Sequence, residues 1–246
     1  MTPLVVAHRG ASSAAPENTL AAFRLAGELG AGAVELDVQL SRDGTPVVIH
    51  DADVARTTDG AGQVGQLTVA ELRRLDAGSW FSPQHRGETI PLLREVLELP
   101  VVPVIELKVV PGQSQLLVER VAELLGACGR DDAVVICGTS EPLVQLERLA
   151  PGVRSLSFAE GTLAPAGLPE TVTDSGAFSV AFAPPVSGLA GSIRRATCRG
   201  AAVFGTTLWV EGAWEGYLPE QVRAGLTGIF TDDLVELGEW LERLRP

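Results

Sequence analysis

The chain has 246 residues, 46% of them hydrophobic, and a formal net charge of -12 at pH 7. That length suits one α/β barrel or two smaller domains. The acidic balance argues against nucleic acid as a partner, though a few placed Arg and Lys side chains suffice for a small phosphorylated substrate. No apolar run approaches the roughly 18–20 residues that cross a bilayer, and the first residues lack the basic-then-apolar pattern of a cleaved leader. Three scattered cysteines, Cys128, Cys137 and Cys198, read as reduced thiols of a cytoplasmic protein.

In chain order, Leu4 to Ala7 reads as a short strand that delivers His8-Arg9-Gly10 at its end. Pro16-Glu17-Asn18-Thr19 then opens a helix, with Asn18 or Thr19 as cap and Leu20, Phe23, Ala26 and Leu29 at helical spacing. The next stretch, Ala33 to Asp51, holds two short apolar runs separated by the turn dipeptide Asp43-Gly44. Glu35 and Asp37 in the first run share one face of an extended strand. Beside Val34, Leu36 and Val38 their charge is costly unless something positive meets it. The second run, Pro46 to Ile49, delivers His50-Asp51. Folded back about Asp43-Gly44, the two runs set Asp37 opposite His50. A parallel pair would place both functional ends at one sheet edge, but the link from Leu40 to Thr45 is too short for a helical crossover.

Ala52 to Ile90 is polar and turn-rich, with a helical piece at Val69 to Leu75 and the aromatics Trp80 and Phe81. It reads as an insertion at the mouth of one domain spanning residues 1–246, too poor in large apolar residues for a core of its own. His85 within it is expected to face solvent.

Regular alternation then resumes: a helix at Leu92–Leu97, a strand at Val101–Val109 and a helix at Ser114–Cys128. A strand at Ala133–Cys137, a helix at Glu141–Leu149 and a strand at Val153–Phe158 follow, with Ala164–Ser175 as a loop. Phe178–Phe182, Ala201–Phe204 and Gly228–Phe230 are further strands; Ile193–Cys198, Pro219–Ala224 and Leu234–Leu244 are helices. This pattern predicts a parallel sheet, and at this length a (β/α)8 TIM barrel with a small insertion after the third strand. One strand candidate exceeds the barrel's count and is expected as an excursion. An open doubly wound sheet is the runner-up, without a Gly-rich phosphate loop to support it.

Glu106 and Lys108 repeat the placement of Glu35 and Asp37 on another apolar strand. Three carboxylates converging at a barrel mouth repel one another unless protonated or joined by a cation. All-oxygen donors favour Mg2+, Ca2+ or Mn2+ over zinc. Arg9 and Lys108 suit an anionic substrate such as a phosphate, and the imidazoles of His8 and His50 suit an acid and base pair. Asp232, at a strand end, is as well suited to a catalytic position as Asp232 or Asp233 is to capping the last helix.

His8-Arg9-Gly10, Pro16-Glu17-Asn18-Thr19, Glu35-Leu36-Asp37-Val38, Asp43-Gly44 with Val47-Val48-Ile49-His50-Asp51, and Ile105-Glu106-Leu107-Lys108 stand in this order. The set resembles the glycerophosphodiester phosphodiesterases. Arg56-Thr57-Thr58-Asp59-Gly60, Ile90-Pro91-Leu92-Leu93 and Gly228-Ile229-Phe230-Thr231-Asp232 are similar to that family's pattern as well. The resemblance implies a barrel related to phosphatidylinositol-specific phospholipases C and hydrolysis of a glycerophosphodiester to sn-glycerol 3-phosphate and an alcohol. It implies Glu35, Asp37 and Glu106 as metal ligands for Mg2+ or Ca2+, and His8 and His50 as acid and base. Arg9 and Lys108 would contact phosphate, and Glu17 and Asn18 would support them.

Two segments depart from the pattern, Val203 to Trp209 and Cys137 to Thr139, and both bear on which alcohol is accepted. A lysophospholipase D-type activity would need an apolar groove from Trp80, Phe81, Trp209 and Trp214. A phosphodiester-binding protein without catalysis would not need two imidazoles. Oligomeric state is not legible in the sequence.

Overall fold

Strands of this chain alternate in side-chain direction with period two, and that alternation builds the molecule's layers. The computed structural model describes residues 2–157, 178–179, 182–183, 190–198, 200, 202–208 and 214–244. Its strands are β1 (Leu4–Ala7), β2 (Ala33–Leu40), β3 (Pro46–Val48), β4 (Pro103–Leu107) and β5 (Val134–Cys137). They continue with β6 (Arg154–Ser157), β7 (Phe178–Ser179), β8 (Phe182–Ala183), β9 (Phe204–Thr206) and β10 (Gly228–Thr231). The helices are α1 (Leu20–Glu28), α2 (Val69–Leu72), α3 (Leu93–Leu97), α4 (Ser114–Cys128), α5 (Ser140–Leu149), α6 (Ala190–Thr197), α7 (Leu218–Arg223) and α8 (Leu234–Arg243). Ala164–Ser175, expected as a loop, lies outside the described residues.

The sheet runs β7-β6-β5-β4-β2-β1-β10-β9-β8, each neighbouring pair parallel. Its two ends, β7 and β8, come from one short stretch of chain, where the sequence pattern predicts a single strand. Counted as one position, they complete the eight parallel positions of a (β/α)8 barrel. The surplus strand is β3, which pairs antiparallel with β2 off this path. β9 begins three residues later than its predicted start at Ala201.

Val34, Leu36 and Val38 of β2 point outward and pack with Ile105 and Leu107 of β4 against Phe23 of α1, Leu93 of α3 and Leu117 of α4. Large side chains buried as fully as Leu36 and Phe23 each contribute about 1.5–3 kcal/mol. The inward positions form a second, smaller layer: Val6, Ala33, Val104, Val134, Phe204 and Phe230. One residue pair further along the inward face of β2 and β4 the apolar filling stops, and Glu35, Asp37 and Glu106 take its place.

The hairpin differs from expectation by one residue. Leu40 pairs with Pro46 and Val38 with Val48, and the Ser41 N–H donates to Thr45 O at 3.0 Å. The loop therefore holds Arg42, Asp43 and Gly44, with Gly44 at φ 72°, instead of Asp43-Gly44 alone. Three-residue hairpins put their last loop residue in this left-handed region. The extra residue shifts the register, so Ile49, not His50, faces Asp37 and donates its N–H to Asp37 O at 2.9 Å.

The insertion does gather a small cluster, Val54, Val64, Leu72, Ala77 and Ile90, but only together with Val47 and Ile49 from the β3 segment. Among the described residues, no helix is long and apolar enough to cross a membrane.

Candidate active site

β2 and β4 are neighbours in register, with Asp37 directly beside Glu106. Glu35 and Asp37 are each 1% exposed, and one carboxylate oxygen from each of Glu35, Asp37 and Glu106 lies within 4.8 Å of the others. Lys108 Nζ stands 3.0 Å from Asp37 Oδ1 and also pairs with Glu106. Arg9 Nε is 3.4 Å from Asp37 Oδ2, and the Arg9 backbone N–H donates to Glu35 Oε2 at 2.9 Å. Asn18 clasps Asp37 from both sides: its Nδ2 donates to Oδ2 at 2.7 Å, and its Oδ1 accepts the Asp37 N–H at 3.2 Å.

Two of these residues, Arg9 and Asn18, sit at φ 57°, where side-chain-bearing residues are uncommon. The turn they share, closed by the Asn18 N–H to Arg9 O bond of 3.0 Å, aims both at the acids. Thr19, not Asn18, caps α1, accepting the Ala22 N–H at 3.3 Å. Gly10 is required beside it, because a Cβ there would lie 2.7 Å from Ala22 Cβ.

Burial pushes the Glu35 carboxyl well above its ordinary range, and Asp37 and Glu106 push the same way. Burial and Asp37 also raise Glu106, against the pull of Lys108. Asp37 goes the other way: burial opposes its charge, but Lys108, Arg9, His50 and Asn18 hold it down. Glu35 Oε1 is buried without a hydrogen-bond partner, and Asp37 Oδ1 meets the Lys108 ammonium. Three carboxylates, one orphaned oxygen and two permanent cations leave positive charge lacking, and an oxygen-seeking divalent cation fits that deficit.

The histidines approach from two other segments. His8 follows β1, and its Nδ1 lies 2.7 Å from Asp232 Oδ1, beyond the end of β10. Ser12 Oγ donates to the same oxygen at 3.0 Å. His50 Nδ1 lies 2.6 Å from Asp51 Oδ1. Arg56 and His50 hold the Asp51 carboxyl down to about 2, against partial burial. Burial works against charge at Asp232 too, yet the bonds from His8 and Ser12 keep it low. An ionised carboxylate can only accept, so each imidazole carries its proton on Nδ1 and leaves Nε2 open. His8 Nε2 is 3.9 Å from Glu35 Oε2, and the His50 ring lies near enough to Asp37 and Glu106 to favour their ionised forms.

All nine residues singled out by sequence (His8, Arg9, Glu17, Asn18, Glu35, Asp37, His50, Glu106 and Lys108) thus belong to connected contacts at one rim. Glu17 supports Arg9 through a 2.9 Å bond from Arg9 Nη1 to its Oε1. Sequence reading missed Gln39, whose Nε2 donates to the carbonyls of Ile49, His50 and Asp51 at 3.0, 2.9 and 2.8 Å. Its place at the next inward position after Asp37 was the available signal. Of the two acids at the end of β10, Asp233 caps α8 by accepting the Glu236 N–H at 2.9 Å, leaving Asp232 to His8.

The aromatic expectations fare differently. Trp214 does not line an apolar groove; it is buried edge-on against Trp240, ring centroids 5.1 Å apart. Trp209 lies outside the described residues. Trp80 and Phe81 pack on one another within the insertion, and His85 is half-buried against Phe81, not fully in solvent.

Fold and site together define a (β/α)8-barrel protein whose acidic cluster and two imidazoles share the C-terminal ends of the strands. The chain belongs to the glycerophosphoryl diester phosphodiesterase family, whose model matches residues 8–236. It is 57% identical over 99 residues to a glycerophosphodiester phosphodiesterase of Caldanaerobacter subterraneus subsp. tengcongensis, covering 40% of this chain and 41% of that one. It is 36% identical over 174 residues to a glycerophosphodiester phosphodiesterase of Bacillus subtilis, covering 64% and 59%. The chain spans about half the length of the curated relatives it matches. Among solved structures, an Oleispira antarctica phosphodiesterase in complex with the product sn-glycerol-3-phosphate aligns with TM-score 0.84 at 29% identity, covering 98% of this chain and 97% of that one. A glycerophosphodiester phosphodiesterase from Agrobacterium tumefaciens aligns with TM-score 0.76 at 29% identity, covering 94% and 97%.

Proposed function

We propose that this chain, working as one domain, hydrolyses glycerophosphodiesters to sn-glycerol 3-phosphate and an alcohol. Glu35, Asp37 and Glu106 hold Mg2+ or Ca2+, with Mn2+ also suited to the donor set. His8 and His50 act as general acid and base, Arg9 and Lys108 contact the phosphate, and Glu17 and Asn18 hold Arg9 and Asp37 in place. The observation that carries the reading is the meeting of three carboxylates from adjacent strands with two imidazoles of open Nε2. The bound sn-glycerol-3-phosphate of the Oleispira neighbour supports the product assignment. The free thiols support a cytoplasmic setting.

When bound, the cation supplies positive charge toward the phosphoryl oxygens. Arg9 and Lys108 add to it from fixed positions, which lowers the barrier most as negative charge accumulates. One imidazole takes a proton at Nε2 from the nucleophile, which is either the glycerol 2-hydroxyl, giving a cyclic phosphate that water then opens, or water directly. The other enters as the imidazolium, with a second proton taken up from solvent at Nε2, and gives that proton to the departing alkoxide. Asp51 and Asp232 hold the rings so that these atoms face inward.

The test is a coupled assay for glycerol 3-phosphate across several glycerophosphodiesters, with and without each divalent ion. Cation-dependent release supports the proposal; binding without turnover sinks it. Lysophosphatidylcholine serves as the comparison substrate. The lysophospholipase D reading loses support because Trp214, one wall of its groove, is buried elsewhere.

A further inference from the structure

His50 lies beyond the last residue of β3, so no strand ladder orients its ring. Gln39 pins the backbone beneath it, and the ring itself bonds to Asp51. Asp51 is itself one-third exposed and would rotate freely, but Arg56 Nε donates to its Oδ2 at 2.5 Å. The same guanidinium turns its other edge to Glu17: Nη1 to Oε2 and Nη2 to Oε1, both at 2.8 Å. Glu17 Oε1 also accepts from Arg9.

We propose that Arg56 is a positioning residue, a two-edged guanidinium that locks the His50–Asp51 pair and Arg9 into one chain of alternating charges. The assignment rests on the roles given above to His50 and Arg9. With Oδ2 held by Arg56 and Oδ1 by the imidazole, the ring cannot flip without losing a charge-assisted bond. Arg56 is 45% exposed, and ion pairs of that exposure contribute little to stability. Four such bonds on one side chain, two to each carboxylate, therefore serve geometry more than folding. A lysine, one point charge without a fork, cannot hold both carboxylates in this arrangement. Arg56 reaches the rim on a single helical turn, Val54–Arg56, whose start Asp53 caps by accepting the Ala55 N–H at 2.9 Å. The insertion thus contributes a working part to the barrel mouth.

Arg56→Met, Arg56→Lys and Glu17→Gln test this by two readouts. One is turnover of glycerophosphocholine with Mg2+. The other is the 1H–15N imidazole NMR spectrum of the metal-free protein, which has only 3 histidines to assign. Arg56→Met is expected to keep its melting temperature within a few degrees and to lose about 10–100-fold in kcat. The Nδ1–H signal of His50 should broaden or vanish in it, and added guanidinium should restore part of both. Arg56→Lys should recover neither. Glu17→Gln should cost a similar factor, and its combination with Arg56→Met should be far from multiplicative. Wild-type kcat in Arg56→Met, an unchanged His50 signal there, or multiplicative losses would overturn the assignment. A wild-type protein that turns over no glycerophosphodiester would overturn the catalytic reading instead, while the imidazole spectrum would still decide the positioning of His50.

Discussion

Glu35 has surrendered nearly all its hydration, with one oxygen on the Arg9 amide and the other without a donor. Such a carboxylate is costly until a cation reaches it, so ligand binding should feed directly into stability. Adding Mg2+ or Ca2+ is expected to raise the melting temperature. The gain corresponds to about 2.7 kcal/mol at a hundredfold excess over Kd. Glu35→Gln should abolish that rise, and a thermal scan with the same ion series checks it; an undiminished rise would remove Glu35 from the ligand set. The imidazoles carry a different expectation. His8→Ala and His50→Ala should each cut turnover by roughly 100–10,000-fold. Asp232→Asn, which cannot fix the His8 tautomer in the same way, should cost about 10–100-fold. Steady-state assays on the three variants compare them, and a near-normal rate in any one excludes that residue from the scheme.

At the level of elements, the β2–β3 hairpin and the insertion after it decide where His50 stands. The single extra loop residue at Arg42 to Gly44 takes His50 off the ladder, and the contacts of Gln39, Asp51 and Arg56 replace the lost pairing. This network has a pH signature. Asp51 is held down to about 2, below its unfolded value near about 4. A depressed carboxylate stabilises the fold fully above the unfolded value and loses that contribution as pH falls through the folded one. The stability difference between wild type and Asp51→Asn should therefore be constant above pH about 4 and shrink toward pH about 2. Urea titrations at stepped pH read it, and a gap that widens on acidification would contradict the assigned pairing.

On the scale of the whole molecule, the parallel β1–β10 pairing brings the first and last strands side by side, Ala7 beside Thr231. α8 packs Leu237, Trp240 and Leu241 into the cluster that contains Ile229 of β10, and its cap, Asp233, adjoins the acid that holds His8. Trp240→Ala should therefore cost about 3–5 kcal/mol in denaturant unfolding. An accompanying loss of activity is expected because Asp232 is anchored through the same helix start. A small stability change would show that α8 is dispensable to this seam.

Much of this was legible from residues close together in the chain. The limits of α4 agree with its hydrophobic spacing from Ser114 to Cys128, and the acid pairs of β2 and β4 announce themselves as charges on apolar strands. Such signals depend on period and on neighbours within a turn or two, which a linear reading contains. The pairing of His8 with Asp232 spans 224 residues and exists only because the sheet sets β1 against β10 in one register. Likewise, no local rule tells whether Asp232 or Asp233 caps the helix, or that Arg56 will face two carboxylates at once. Those choices are made by distances between segments, and distances of that kind come into being only when the chain is packed.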